Sequence, residues 1–411
     1  MSNNARAGQL LLDLGMYLGF AVFARATSLW SEFYGYRVWG DFAFVAYVLA
    51  AVHALVLLLW SQWLPARLRS RTLPIWLVVV VGFAAPLAKL VVTRLGAPDW
   101  TNTPWTWSAQ PNVWVIERSA QLLLANGTPY IDVTALGRTP DVNDYTPYGP
   151  LMPVFGLPRA LFGTSPLTDA RIMFAITAVV AVAVSLRVLG RPRVPVRAAQ
   201  LAVAGPLTLL TATVSGEDLA VIALLGLAAA LVLREKPGWA GAVVAMAVSI
   251  KLIALPGAVV LTVLVLGRRR YFGAFAGVFA LVNVPVLLVD PGAFVEHAIR
   301  FPAGAAHVRS PAASPFPGHL LTELGPSGHA AALALLVAGG VANLLWLLLR
   351  RPETVADVMK RIVVGMSTAI LLMPASRFGY LVYPVVFLGA MLFFAAVERK
   401  RVPTFQPVLS G

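Results

Sequence analysis

The chain of 411 residues contains no cysteine, which excludes disulfides and thiolate metal sites. Charge is scarce: Asp, Glu, Lys and Arg make up 12% of the residues, against roughly 25% in soluble domains. Histidine is rarer still, at five, and the spacings of His297, His307 and His319 fit no zinc motif, so no metal site and no cofactor are expected. Acids number 18 against 32 basic residues. No internal repeat is evident, and no cleavable signal peptide is expected, because the first apolar run carries Asp13 and Arg25 and lacks a small-residue cleavage pattern.

What is abundant is apolar. Hydrophobic residues reach 59% and the mean hydropathy is +0.78. Runs long enough to cross a bilayer recur from end to end. They predict an all-α polytopic membrane protein, a single integral domain over 1–411, with about twelve spans near 9–28, 42–64, 73–94, 169–188, 197–213, 218–233, 238–252, 254–268, 272–289, 329–349, 360–375 and 378–397. The first is the most marginal, because of its two charges. The pair around Pro256 is short enough to be re-entrant or broken, which is tolerated only inside protein.

Charge placement orients these spans. Twenty of the 32 basic residues fall in short connections, among them Arg67, Arg69, Arg71, Arg268, Arg269 and Arg270. The positive-inside rule then puts both termini in the cytoplasm of a plasma (inner) membrane protein and two long loops, about 95–168 and 290–328, outside. The +14 net charge therefore reads as topology and contact with anionic lipid, not as nucleic-acid binding. Thirteen of the 18 acids lie on the outer side of this map, and the orientation rule does not require that.

The outer loop 95–168 is long, and it is rich in Trp and Tyr, including Trp105, Trp114, Tyr130, Tyr145 and Tyr148. Loops of this length are usually functional or disordered, and one so aromatic is not disordered. Its acids include Asp99, Glu117, Asp132, Asp141 and Asp144. Elsewhere four stretches hold polar groups at outer span ends. Glu217 and Asp218 open a span, where they can be simple dipole partners or ligand groups. Lys251 stands near a span end, where it can snorkel or bind an anion. The loop 290–328 carries His319 among prolines and glycines, and Arg377 precedes the last span as an interfacial anchor or a fork for phosphate. Acids, cations and aromatic faces converging at one membrane surface suit a sugar joined to a lipid phosphate. A carboxylate can take a proton from an acceptor hydroxyl, and cations can stabilise a leaving phosphate.

Several stretches carry a resemblance: Leu122 through Tyr130 (LLLANGTPY), Tyr145 through Leu151 (YTPYGPL), Gly216-Glu217-Asp218-Leu219, Gly238-Trp239-Ala240-Gly241 leading to Lys251, and Arg377 through Pro384. In this order the chain resembles glycosyltransferase family 87 of the polytopic C-type glycosyltransferases. The resemblance implies a C-type helical bundle with short helices in its first outer loop. It also implies an inverting transfer of a hexose, with mannose expected, from a polyprenyl-phosphate donor to a lipid or glycan acceptor of the cell envelope. Lys251, Arg377, His319 and Arg118 are the candidate phosphate ligands, and Glu217, Asp218, Trp114, Tyr145 and Tyr148 the candidate substrate contacts. The family's usual Asp, taken as the base, falls here near Asn112, whose amide cannot serve. That leaves Asp99, Asp144 and Glu117, in that order. A transporter or flippase of lipid-linked sugars and a non-catalytic envelope-assembly protein are the other readings; a transporter is expected to show repeats.

Overall fold

The computed structural model describes residues 3–96, 104–302, 306, 308 and 311–400. Every regular element among them is helical. Seven helices are long and apolar enough to cross a membrane: α1 (Asn3–Trp30), α2 (Tyr34–Trp60), α3 (Leu73–Gly96), Ala170–Val188, Arg268–Val289, Pro326–Leu349 and Phe378–Arg399. That is fewer than the twelve spans hydropathy suggests, and the five others show why. Residues 197–213 form two helices, Val196–Ala202 and Pro206–Val214, separated where Pro206 has no N–H to give. Glu217–Leu233 and Pro237–Ile250 are short, and Leu252–Leu264 mixes α and tighter turns. Val355–Leu372 carries Asp357, Lys360 and Arg361 in its first turns.

α1 and α2 pack closely because the facing positions are small. α2 is lined with buried alanines, Ala43, Ala46, Ala50, Ala51 and Ala54, the first two of which lie against Gly82 of α3. Gly40 permits the closest approach: a β-carbon there would stand 2.7 Å from the Ala24 carbonyl oxygen. Small residues let helix backbones meet in a membrane, where burial alone gives little drive. α3 widens into a π turn at Val80–Ala84, directly before Pro86, which cannot donate to the turn behind it.

The charges that made α1 marginal are paired. Asp13 is buried, gripped by Arg71 at 2.6 and 2.9 Å and reached by Arg197 at 3.1 Å and Gln200 at 3.0 Å. Arg71 and Arg197 come from two different basic connections, so this knot ties α1 to the basic end of the bundle. A cavity of about 450 Å³ between Glu235 and Arg270 also opens at that end. The larger core joins the helices Ala170–Val188, Glu217–Leu233, Pro237–Ile250, Val355–Leu372 and Phe378–Arg399. The second core belongs to α1, α2 and α3, closed by Leu209, Leu210 and Val214. Both cores end at the face that carries the long loop.

Candidate active site

The long loop is stitched to the helix ends beneath it. Its central helix, α4 (Pro111–Asn126), starts with Pro111, whose missing N–H costs nothing at a first turn. It stops at Gly127, which takes φ 72°. The Gln110 amide donates to the Val214 carbonyl at 2.9 Å. Further along, the Gly149 and Leu151 amides donate to the carbonyls of Ile250 and Ser249, each at 3.0 Å. A β-carbon at position 149 would lie 2.1 Å from the Ser249 oxygen, so only glycine fits there.

This second stitch falls where a span breaks. Pro237–Ile250 ends at Lys251, whose backbone is extended (φ −154°, ψ 125°), and the chain restarts at Leu252. The break precedes Pro256, which sits in the first turn of the next α-helical piece. Lys251 is thereby turned towards the start of Glu217–Leu233. Its Nζ lies 2.5 Å from Asp218 Oδ1 and 3.7 Å from Glu217. The Tyr383 hydroxyl donates to the same Asp218 oxygen at 2.7 Å. The rings of Tyr148 and Tyr380 stand 5.6 and 5.5 Å from the ammonium, within cation–π range. Asn112 completes the group, its Nδ2 donating to Glu217 Oε1 at 2.6 Å. Two carboxylates thus share one ammonium in a nearly dry setting. Two buried oxygens of the group, Glu217 Oε2 and Asn112 Oδ1, have no partner among the described residues.

Arg377 stands at the rim. Its side chain is exposed and makes no ion pair or hydrogen bond among the described residues. Its charge and that of Glu217 both act on the hydroxyl of Tyr36, which also pairs with Gln110. The backbone around Arg377 is fixed by a bridge between Ala313 and Ser376, and by the Phe378 amide donating to Ser314 Oγ at 2.9 Å. His319 lies half-buried nearby, its Nδ1 3.0 Å from the Pro374 carbonyl.

The remaining candidates sit in other networks. Glu117 is 4% exposed and fully engaged. It takes two bonds from Arg94 at 2.9 and 2.6 Å, one from the Ala170 amide at 3.1 Å and a contact from Arg159 at 3.3 Å. Asp169 closes this knot through Arg94 and Arg171, and Arg171 reaches on to the Ser108 and Thr213 carbonyls. Trp114 packs on the Arg94 guanidinium at 4.6 Å.

Asp144 receives both Arg138 nitrogens at 2.7 Å and the Asp141 amide at 2.7 Å. The Arg138 fork holds its carboxyl below the usual range. Arg118 donates to the Asp144 carbonyl oxygen. Tyr145 stacks on Phe301 at 4.4 Å and leans on His297, which is buried between Tyr130 and Tyr145. Asp99 lies outside the described residues.

The structure therefore brings Glu217, Asp218, Lys251 and Tyr148 together, with Arg377 at the edge. It puts Glu117, Trp114, Asp144, Arg118 and Tyr145 in two neighbouring networks. The sequence reading gave no site role to Tyr36, Gln110, Tyr380 or Tyr383, although the last two lie in the stretch Arg377 through Pro384 that it singled out. Tyr380 and Tyr383 lie three residues apart beside Arg377, a spacing that could have marked them. Nothing local marks Tyr36 or Gln110.

No curated protein matches the chain. Among solved structures it is similar to ArnT from Cupriavidus metallidurans, in a form bound to undecaprenyl phosphate (18% identity, TM-score 0.44) and in the apo state (20%, 0.44). Those alignments take in 78% and 79% of this chain, which spans 60% of either ArnT chain. The profile of Glycosyltransferase family 87 matches residues 145–374, a stretch holding Tyr148, Glu217, Asp218 and Lys251 but ending short of Arg377. That match takes in more than half of the sequence, and the chain belongs to glycosyltransferase family 87.

Proposed function

We propose that this glycosyltransferase takes a hexose, mannose, from a polyprenyl-phosphate donor and passes it to a glycolipid or glycan acceptor of the cell envelope. The acceptor oxygen attacks the sugar's anomeric carbon as the bond from that carbon to the phosphate oxygen breaks. Polyprenyl phosphate leaves with the negative charge, the acceptor proton goes to a carboxylate, and the configuration inverts in this single displacement. One observation carries the reading: an arginine with no carboxylate partner among the described residues, Arg377, at the rim of a buried acidic cluster. A lipid phosphate at that depth would meet the guanidinium, and its sugar would face the carboxylates. Phosphate bound by a guanidinium fork is among the stronger polar contacts.

Lys251 then acts less as a free phosphate ligand than as the counter-ion that holds Glu217 and Asp218 in place. Glu117 and Asp144 serve the architecture, since guanidinium and amide donors already occupy their oxygens. Asp99, just past the end of α3, remains the first choice for the base. The face bearing the long loop is extracytoplasmic and both termini are cytoplasmic, in keeping with the basic residues at the opposite end.

The test is to incubate purified protein with synthetic polyprenyl-phosphate hexoses and follow release of lipid phosphate. Turnover is expected with the mannosyl donor. Arg377→Ala should lower it by about tenfold to a thousandfold, the effect of losing a donor to developing charge worth roughly 1.4–4 kcal/mol. Absence of release from every lipid-linked sugar, with an acceptor extract present, refutes the reading.

A further inference from the structure

The acidic cluster has an imbalance that its own contacts do not resolve. Asn112 presents Nδ2 to Glu217 Oε1 at 2.6 Å, the arrangement that suits an ionised carboxylate, which can only accept. That contact fixes the amide's orientation and turns Oδ1 away from Glu217. Asn112 Oδ1 and Glu217 Oε2 are both buried, and neither has a donor among the described residues. Glu217 is only 5% exposed. Unmet acceptors of this kind are costly, and a native structure keeps them for a reason.

Among the described residues no donor reaches either oxygen: the Lys251 ammonium sits on Asp218 Oδ1 and comes no nearer than 3.7 Å to Glu217, at Oε1. The Tyr383 hydroxyl goes to the same Asp218 oxygen. The Gln110 amide goes to Tyr36. What is missing is a partner that brings two donors on one rigid body to two acceptors joined by a single hydrogen bond. A phosphate brings none, and a second carboxylate would be repelled. A polyol brings two hydroxyls.

We infer that Asn112 and Glu217 together read two hydroxyls of the sugar on the lipid-phosphate donor, each side chain accepting one O–H. This rests on the reading of the protein as a lipid-linked sugar transferase. The phosphate end of the same ligand lies towards Arg377, whose charge and that of Glu217 both reach Tyr36. Asn112 thus holds the donor sugar and takes no proton from the acceptor. The pair determines specificity and leaves the base to another acid.

Binding rather than turnover tests this. Purified protein in nanodiscs is titrated with bare polyprenyl phosphate, with its mannosyl ester and with mannosyl esters lacking each sugar hydroxyl in turn. The wild type should bind the mannosyl ester about tenfold to a hundredfold more tightly than the bare lipid, as hydrogen bonds to a charged acceptor and an amide allow. Glu217→Gln and Asn112→Ala should each lose most of that preference while binding the bare lipid as the wild type does. Removal of one particular hydroxyl should cost the wild type affinity yet cost Glu217→Gln nothing, and a second should behave so for Asn112→Ala. Asn112→Ala leaves every ion pair in place, so it carries the test should Glu217→Gln fail to fold.

A sugar preference that survives both substitutions overturns the inference and leaves the transferase reading standing. Equal wild-type affinity for bare and mannosyl lipid does the same. Failure of the wild type to bind either lipid overturns both.

Discussion

Glu117→Ala separates an architectural carboxylate from a catalytic one. In the native protein three guanidiniums, Arg94, Arg159 and Arg171, face two carboxylates, Glu117 and Asp169. The side chains of Arg94 and Arg171 are at most 2% exposed, so neither can recover water when a partner is lost. Alanine at 117 leaves three positive charges around one carboxylate and strands the Ala170 amide, which donates to Glu117. Breaking one side of a buried pair costs about 3–5 kcal/mol. At 1.4 kcal/mol per factor of ten, that is a fall of roughly a hundredfold to several thousandfold in the folding equilibrium. The measurement is reversible unfolding in mixed detergent and SDS, followed by tryptophan fluorescence, alongside turnover per folded molecule. Stability should fall by the amount stated while turnover per folded molecule persists. Unchanged stability with abolished turnover would refute this reasoning and make Glu117 the base.

Acid should loosen the long loop through His297. Its Nδ1 accepts from the Thr146 amide at 2.9 Å, which requires the proton on Nε2, donated to the Ile131 carbonyl at 2.8 Å. Burial holds its pKa below the ordinary 6.5, with Arg118, Glu296 and Asp290 also acting on it. A depressed folded-state pKa means that the stabilisation is complete above 6.5 and lost as pH falls through the folded value. Exchange of the Thr146 amide should speed up, beyond the intrinsic pH effect, between pH 7 and 5 in the wild type but not in His297→Gln; identical profiles would exclude the latch. Orientation is open to a cysteine scan in this cysteine-free chain. In intact cells Thr134→Cys should react with a membrane-impermeant maleimide and Lys236→Cys only after permeabilisation; the reverse pattern would turn the protein over.

Seven of the twelve expected spans were legible, because a bilayer demands apolar length and that demand is local. The start of α2 was not. Tyr34, Arg37 and Asp41 dilute its hydropathy, so the run seemed to begin at 42. Arg37 in fact turns out to the carbonyls of Ser31, Glu32 and Trp105, leaving the helix free to start at Tyr34. The gathering of polar groups at one end followed from counting span ends. The division of labour among the acids did not, because it depends on partners far away in sequence. Glu117 and Glu217 each lie near a helix start or within a polar loop. One is filled by Arg94, 23 residues away, and by an amide 53 residues away. The other accepts from Asn112, 105 residues away, on one oxygen and has no donor on the other among the described residues. No window of sequence holds that difference.

The seam between Gly149 and the Ser249–Ile250 carbonyls fixes how the loop can behave. Those two hydrogen bonds occupy the carbonyls at the very end of the Pro237–Ile250 helix, one residue before Lys251. The loop's tyrosine and the helix's lysine are therefore parts of one body, and a tug on either is felt by the other. A lid that swung free at residues 145–151 would have to break both of these hydrogen bonds and leave the last two helix carbonyls beside the ammonium without donors. Whatever admits a substrate must hinge elsewhere along the loop, and the wall made by Tyr148 stays put while it does so.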